Sequence, residues 1–352
     1  MIKFKGLEEA NIGGKTVLLR ADLDVPIQDS KISDHSRLEA CVSTLEYLLN
    51  QNCKIIICGH LGRPDPELRI KNNELSLEPI ANWFAERFPG ESLQETKLSG
   101  FPGWQIKENF FLLENLRFFE GEEKNDEEFA EKLAALSEVY VNDAFASSHR
   151  DHASIVGIPK FLPHFAGLHL QKEVETLSKA MENPRRPLTV VIGGAKIETK
   201  LPLVEKMHGF ADYVLVGGEI AEHTRELLKV AHEKTGRKSD LFIADLTPDQ
   251  KDITEESLDK FVQTANKSST VVWNGPLGEI VPGVFENSTS KFAKSLSDNT
   301  NNIYSIVGGG DTVEFITRVG LKDKFSFVSV GGGAMLEFLS GEVLPGLLAL
   351  QN

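Results

Sequence analysis

At 352 residues the chain is longer than one hydrophobic core usually organises, so two domains are expected. Its 41% hydrophobic and 26% charged residues are an ordinary globular balance, and a formal net charge of -14 argues against nucleic acid and anionic membrane surfaces as partners. No apolar run approaches the length of a bilayer span, and the opening MIKFKGLEEANIGG lacks the apolar core of a signal peptide, so a cytoplasmic protein is expected.

Short apolar runs rich in β-branched residues lie at 16–19, 54–58, 110–113, 139–141, 189–192, 213–216, 241–244, 270–273, 303–307 and 326–330. Helical patterns fall between many of them, at 37–50, 77–87, 126–136, 168–181 and 254–265. This alternation predicts an α/β fold, and the unbroken apolar runs fit parallel strands buried on both faces. The prolines of IPKFLPH, 158–164, punctuate the chain ahead of the amphipathic 168–181 pattern, which suits a stiff connector between domains. Residues 227–256 are polar and weakly periodic, with one convincing strand. Cys41, Cys53 and Cys58 have apolar neighbours and no metal-ligand or redox spacing, and are expected as buried thiols.

Ligands of parallel α/β sheets bind beyond the carboxyl ends of the strands, so the residues after each run carry the chemistry. Arg20-Ala21-Asp22-Leu23-Asp24 follows the first run, and Arg37 opens the next helix. Gly59-His60-Leu61-Gly62-Arg63 follows the second run, Arg117 the third, and Asn142-Asp143 with His149 and Arg150 the fourth. Any one of these Arg residues reads as a solvated surface group. Four strand ends that each deliver Arg or His to one rim read better as a polyanion site, because guanidinium pairs bidentately with carboxylate and phosphate. Asp22 and Asp24 would accept bonds from ligand hydroxyls and steady the Arg side chains. His60 fits two readings equally, an anion donor or a strand-end histidine bonded to backbone. His149 and His152 have helical metal-ligand spacing, but a third ligand is not evident.

In the second half the strand ends carry glycine. Gly193-Gly194-Ala195-Lys196 leads to Lys200, and Gly217-Gly218, Asn274-Gly275-Pro276, Gly308-Gly309-Gly310-Asp311-Thr312 and Gly331-Gly332-Gly333 follow later runs. Glycine lets backbone N–H groups approach a phosphate closely, and a helix start adds a favourable dipole. GGGDT between IYSIV and VEFITRV fits a strand–loop–helix phosphate site, with Asp311 placed for a Mg2+ that bridges nucleotide phosphates. Lys196 and Lys200, four apart, would neutralise charge on a phosphoryl group in flight. GxGxxG is absent, and EANIGGKT at 9–16 lacks the first Walker glycine and precedes a strand, so neither nucleotide-binding fingerprint applies.

Taken together, RADLDVP, HLGRP, LENLRFFEGEEKND, VNDAFASSHRDHASIVGIP, GGAK, WNGPLGE, GGGDT and GGGAMLEFLSGEVLPG, in this order from 20 to 346, resemble the phosphoglycerate kinase family. The resemblance implies two doubly wound, Rossmann-like parallel-sheet domains joined by an interdomain helix and hinge. A phosphoglycerate-binding domain would span 1–163. A Mg-nucleotide-binding domain beginning with the helix would span 164–333, and a tail, 334–352, would return to the first domain. The implied activity is a phosphotransferase of glycolysis and gluconeogenesis, converting 1,3-bisphosphoglycerate and ADP reversibly to 3-phosphoglycerate and ATP. Mg2+ would accompany the nucleotide, and the protein would be a cytoplasmic monomer. By motif, Arg20, Asp22, Asp24, Arg37, His60, Leu61, Gly62, Arg63, Arg117, His149 and Arg150 would serve the phosphoglycerate. Gly193, Gly194, Lys200, Gly217, Gly218, Asn274, Glu279, Gly309, Gly310, Asp311 and Thr312 would serve the nucleotide, with Asp311 holding the metal. Arg37, Lys196, Lys200 and the backbone of Gly331, Gly332 and Gly333 would surround the transferred phosphoryl. The family's acceptor is a carboxylate already ionised at neutral pH, so its chemistry asks for positioning and charge neutralisation, with closure of the domains to exclude water.

The chain departs from the family's pattern at several points. Asp24 stands where Asn is usual, and Val330 and Met335 stand where hydroxyl residues are usual. Glu219 replaces a third glycine. A ribose-binding glutamate is expected seven residues after Asn274, where Val281 stands, and Glu279 is the nearby substitute. Residues 227–256 form a shorter segment than the family's. These departures fall mainly on the base-and-sugar side, so altered nucleotide preference is one alternative and a non-catalytic metabolite sensor another. Retention of Arg37, Lys196, Lys200 and Asp311 together argues for catalysis.

Overall fold

The computed structural model describes residues 3–65, 73–90, 93–230, 239–281, 287–299 and 302–351. The chain divides into two units, Met1–Val174 with Val343–Asn352, and Glu175–Glu342. In the first unit, β1 (Thr16–Arg20) is followed by the small hairpin β2 (Ile27–Gln28) and β3 (Lys31–Ile32), then α1 (Ser36–Asn50), β4 (Lys54–Cys58) and α2 (Glu78–Arg87). Next come β5 (Gln94–Leu98), β6 (Phe101–Lys107), β7 (Phe110–Leu113), the short α3 (Glu120–Glu123), α4 (Glu127–Ala134), β8 (Val139–Asn142) and β9 (His164–Ala166). The sheet runs β5-β6-β7-β4-β1-β8-β9. Strands from β7 to β9 pair in parallel, while β5 and β6 add an antiparallel edge. Each central strand is buried almost throughout, as its unbroken apolar run requires. Helix α1 lays Leu38, Cys41, Val42, Leu45 and Leu48 on the sheet as a single stripe of helical spacing, each fully buried Leu contributing roughly 2 kcal/mol.

The second unit repeats the plan. It contains β10 (Leu188–Ile192), α6 (Ile197–His208), β11 (Tyr213–Val216), α7 (Ile220–Val230), β12 (Asp240–Ile243), α8 (Glu255–Asn266), β13 (Thr270–Asn274), α9 (Asn287–Asp298), β14 (Tyr304–Gly308), α10 (Gly310–Arg318), β15 (Phe327–Val328) and α11 (Gly333–Ser340), counted on from α5 (Leu168–Glu182). Its sheet, β12-β11-β10-β13-β14-β15, is wholly parallel around a core of Val191, Leu215, Phe261, Trp273, Phe292 and Phe315. In both sheets the first strand sits inside, the strands that follow it lie on one side, and the last strands lie on the other. The fold is therefore α/β with two doubly wound sheets, and the winding reverses between β1 and β8 and again between β10 and β13. Beyond the carboxyl ends of those pairs lie the two crevices of this architecture.

The unit boundaries differ from the residues expected from sequence. The first falls inside α5, at 174 rather than 163, because the start of α5 is tied to the first sheet. Leu168 N donates to Thr44 Oγ1 at 3.0 Å, and His169 N and Leu170 N donate to Asp143 Oδ1 at 3.0 and 3.1 Å. The second falls at 343 rather than 334, because α11 packs on α6 within the second unit. Only the last stretch, with α12 (Pro345–Ala349), belongs to the first unit. All three cysteines are buried and free. Among the described residues no helix is long and apolar enough to cross a membrane.

Candidate active site

At the crevice of the first unit, Arg20 ends β1 with its side chain fully buried. Its Nε donates to Ser154 Oγ at 2.9 Å, Nη1 to Ala21 O at 2.5 Å and Nη2 to His60 Nδ1 at 2.9 Å. The strand-end histidine is therefore held by a guanidinium rather than by backbone. Beneath them the fully buried Glu122 of α3 accepts from Ser154 N at 2.9 Å and Ser154 Oγ at 2.5 Å. Both oxygens of Asp22 are engaged, by Ala146 N at 2.7 Å and Ser147 Oγ at 2.6 Å, so Asp22 pins the loop after β8. Asp24 accepts from Gly62 N at 2.9 Å and lies 3.6 Å from Arg37, which also donates to the Asp24 carbonyl. Arg117 donates to Gly62 O at 2.5 Å and pairs with Glu123 at 3.3 Å. Asn115 clamps Leu61 from both sides, accepting from its N at 3.2 Å and donating to its O at 2.7 Å. Arg37 and Arg150 are half-buried and Arg63 is exposed, so these arginines are more open to solvent than the frame of Arg20 and Arg117.

The charge of this rim rests on arginine. Burial, then Arg20 and Arg117, push His60 well below the usual imidazole range. Burial and Arg150 push His149 down to about 4, and burial and Arg117 push His152 down to about 3. All three imidazoles are neutral at pH 7. The crevice thus combines fixed cations with neutral N–H donors, an arrangement suited to a small ligand bearing phosphate and carboxylate.

In the second unit the corresponding crevice is made of backbone. Gly193 N donates to Asn274 O at 2.9 Å, Gly194 N to Pro276 O at 2.7 Å and Gly218 N to Leu277 O at 2.8 Å, which draws the turns after β10, β11 and β13 together. Two glycines are required by contact. A Cβ on Gly193 would lie 2.1 Å from Pro276 O, and one on Gly275, at φ +91°, would lie 2.2 Å from both Gly193 O and Lys200 Nζ. Lys200, on α6, is buried and donates to Gly193 O, and burial lowers its pKa to about 8. Lys196 caps α6 and is exposed, so the two lysines occupy different depths. Gly309 caps α10, Gly310 opens it, and Asp311 and Thr312 stand in its first turn. Asp311 is exposed, whereas Thr312 is fully buried and its Oγ1 has no hydrogen-bond partner.

Gly194, Gly218, Glu279 and Asp311 line one cavity of about 650 Å3 with Leu277 and Ile280. Glu219, Glu222, His223, Lys251 and Arg318 also line it, and no sequence motif marks them as ligand groups. Lys251 Nζ lies 3.3 Å from Glu279, and Glu279 N donates to Lys251 O at 2.7 Å, so the expected ribose group is braced by the 246–253 turn. That turn and β12 come from the shortened segment, of which residues 231–238 lie outside the described residues. Met335 fills the place of the usual hydroxyl: its Sδ accepts from Asn274 Nδ2 at 3.7 Å. Gly331 N donates to Ser329 Oγ at 3.2 Å, while Gly332 caps α11 and Gly333 begins it.

The family model described as phosphoglycerate kinase matches residues 7–242 and 228–342 of this chain, its two stretches meeting in the segment that reads as short. Cytosolic phosphoglycerate kinase 3 of Arabidopsis thaliana is 37% identical over 400 aligned positions, covering 98% of this chain and 98% of that protein. Phosphoglycerate kinase of Finegoldia magna is 37% identical, covering 97% of this chain and 98% of its own. Among solved structures, phosphoglycerate kinase from Coxiella burnetii matches with a TM-score of 0.78 at 28% identity, covering 99% of each chain. The enzyme from Pyrococcus horikoshii matches at 0.80 and 28% identity, covering 99% of this chain and 98% of its own.

Proposed function

The chain belongs to the phosphoglycerate kinase family, and from that premise we propose how its two crevices divide the reaction. The protein is a phosphotransferase with a carboxyl acceptor, acting reversibly between 1,3-bisphosphoglycerate and ADP to give 3-phosphoglycerate and ATP in glycolysis. No finding favours a non-catalytic role or an altered nucleotide preference. Arg37, Arg63, Arg117 and Arg150 hold the phosphoglycerate, with His60 and His149 as neutral donors and Asp22 and Asp24 shaping the rim. The observation that carries this is that the charges crowd together beside the buried Arg20–Glu122 frame, Arg117 lying within electrostatic reach of Arg150 and Arg20, and His149 within reach of Arg150 and Arg37.

The nucleotide lies in the 650 Å3 cavity with its phosphates toward the start of α10. Two observations fit that placement: the unpartnered Thr312 Oγ1, and the open space of at least 4 Å that a Cβ on Gly310 would meet. Among the described residues no group of three or more His, Cys, Asp or Glu could hold a metal alone. Asp311, exposed in the first turn of α10, would be the protein's carboxylate for a Mg2+ brought with the nucleotide. Such an ion, when bound, neutralises phosphate charge. Lys200, shielded from water, supplies a nearby positive charge, and Lys196 and the starts of α10 and α11 add to it. The acceptor carboxylate needs no base, so these residues act by placement and charge. The protein works in the cytoplasm as a monomer. A coupled assay with 3-phosphoglycerate and Mg-ATP tests the reading: turnover is expected, and binding of both without turnover would overturn it.

A further inference from the structure

Four side chains below the substrate rim form a chain whose hydrogen-bond directions are chemically constrained. Arginine has donors and no acceptor. Arg20 Nη2, 2.9 Å from His60 Nδ1, therefore donates, and Nδ1 offers its lone pair. The single proton of neutral His60 is then on Nε2. A doubly protonated ring would set Nδ1–H head-on against a guanidinium N–H, so the contact also disfavours imidazolium. Nε2 faces the rim, 3.9 Å from Asp24 Oδ2. An N–H there attracts an anionic oxygen, whereas a lone pair in the same place would repel it.

Arg20 is itself oriented from behind. Its Nε–H donates to Ser154 Oγ at 2.9 Å, and that oxygen gives its own proton to Glu122 Oε1 at 2.5 Å. Ser154 N adds a bond to Glu122 Oε2 at 2.9 Å, and Tyr140 OH donates to Ser154 O at 2.6 Å, so Ser154 is held on three sides. Arg20, Glu122, Ser154 and Tyr140 are all essentially excluded from solvent. Being buried, they act on the rim through His60, against which His152, 3.8 Å from Glu122 Oε1, also packs edge-on.

We propose that Glu122, Ser154 and Arg20 form a hydrogen-bond relay, Arg20 donating through Ser154 to Glu122 on one side and to His60 on the other, that fixes the proton of His60 on Nε2. Glu122 and Ser154 thereby act as positioning residues for phosphoglycerate. This rests on the reading of the first crevice as the phosphoglycerate site. The test uses the full chain with 15N-labelled histidine, recording the His60 ring nitrogens at neutral pH, together with calorimetric titration of 3-phosphoglycerate. In the unsubstituted protein Nε2 carries the proton and Nδ1 is bare. Ser154→Ala removes the acceptor of Arg20 Nε; it mixes the His60 tautomers, weakens 3-phosphoglycerate about tenfold and leaves the KM for Mg-ATP and kcat within about twofold. Glu122→Gln, similar in shape, is the second variant and shifts both readouts the same way. A bare Nε2 in the unsubstituted protein overturns the relay. So does an affinity loss in both variants with the tautomer unmoved, which would mark a packing defect. Failure of the unsubstituted protein to bind 3-phosphoglycerate would instead sink the reading of the site, while the tautomer measurement still judges the relay.

Discussion

The crevice of the first unit is built of side chains, braced from below by buried charges, whereas that of the second is built of glycine turns, helix starts and a buried lysine. The two sheets are wound alike, so the contrast arises after the strands and not within them. Guanidinium forks read the plane and spacing of carboxylate and phosphate, which suits a small acid that must be told from other acids. Main-chain N–H groups donate to any phosphate within reach. The first crevice therefore depends on long-range side-chain pairs, and the second on backbone shape.

That contrast can be broken at several points. The largest effect should come from Lys200→Ala, which removes a cation from the second crevice. Turnover should fall by roughly 10²- to 10³-fold, while titrated 3-phosphoglycerate binds within about twofold of normal. Equal loss of both would erase the division of labour. Arg117→Ala reverses the test: phosphoglycerate affinity should drop roughly 30-fold, with Mg-ATP affinity unchanged in the same calorimeter. Gly275→Ala forces a methyl group onto Gly193 O and Lys200 Nζ at a φ of +91°. Chemical denaturation should show a loss of about 3 kcal/mol confined to the second unit, and phosphoglycerate should still bind.

The smallest effect is a pH slope in the first unit. His149 is held down at about 4 when folded, but titrates near 6.5 when unfolded. Below 6.5 the unfolded chain takes up a proton that the folded chain refuses. Stability is therefore complete above 6.5 and declines as the pH falls toward 4. Because the residue is only half-buried, the decline should stay under about 1 kcal/mol. His149→Asn should flatten it, as followed by thermal unfolding across that range. An unchanged slope would place the acid sensitivity elsewhere.

Much of this was legible in the amino-acid order. β4, β7 and β11 coincide with apolar runs because strands covered on both faces leave no room for alternation. β5 escaped notice because QETKL lies on the sheet edge with little burial, and β6 because FPGWQIK carries Pro and Gly. α6 holds Pro202 within its span, which hides its period. Arg and Gly at strand ends could be found by topology alone. Glu122 could not: in GEEKND it looks like part of a solvated acidic face. Its burial is decided by Ser154, 32 residues later, and the orientation of His60 by Arg20, 40 residues earlier. Side-chain partners at such separations leave no local signature.

The last ten residues, Val343–Asn352, complete the first unit. Gly346 N donates to Ser148 O at 2.8 Å, and Leu344 and Leu347 are fully buried. Ser148 directly precedes His149, so the segment backs the loop that carries His149 and Arg150. During synthesis on the ribosome this segment emerges after every strand of the second unit. The unit that is translated first is thus finished only after the second unit's strands, and a nascent chain stalled before Val343 would lack that support for the loop of His149 and Arg150.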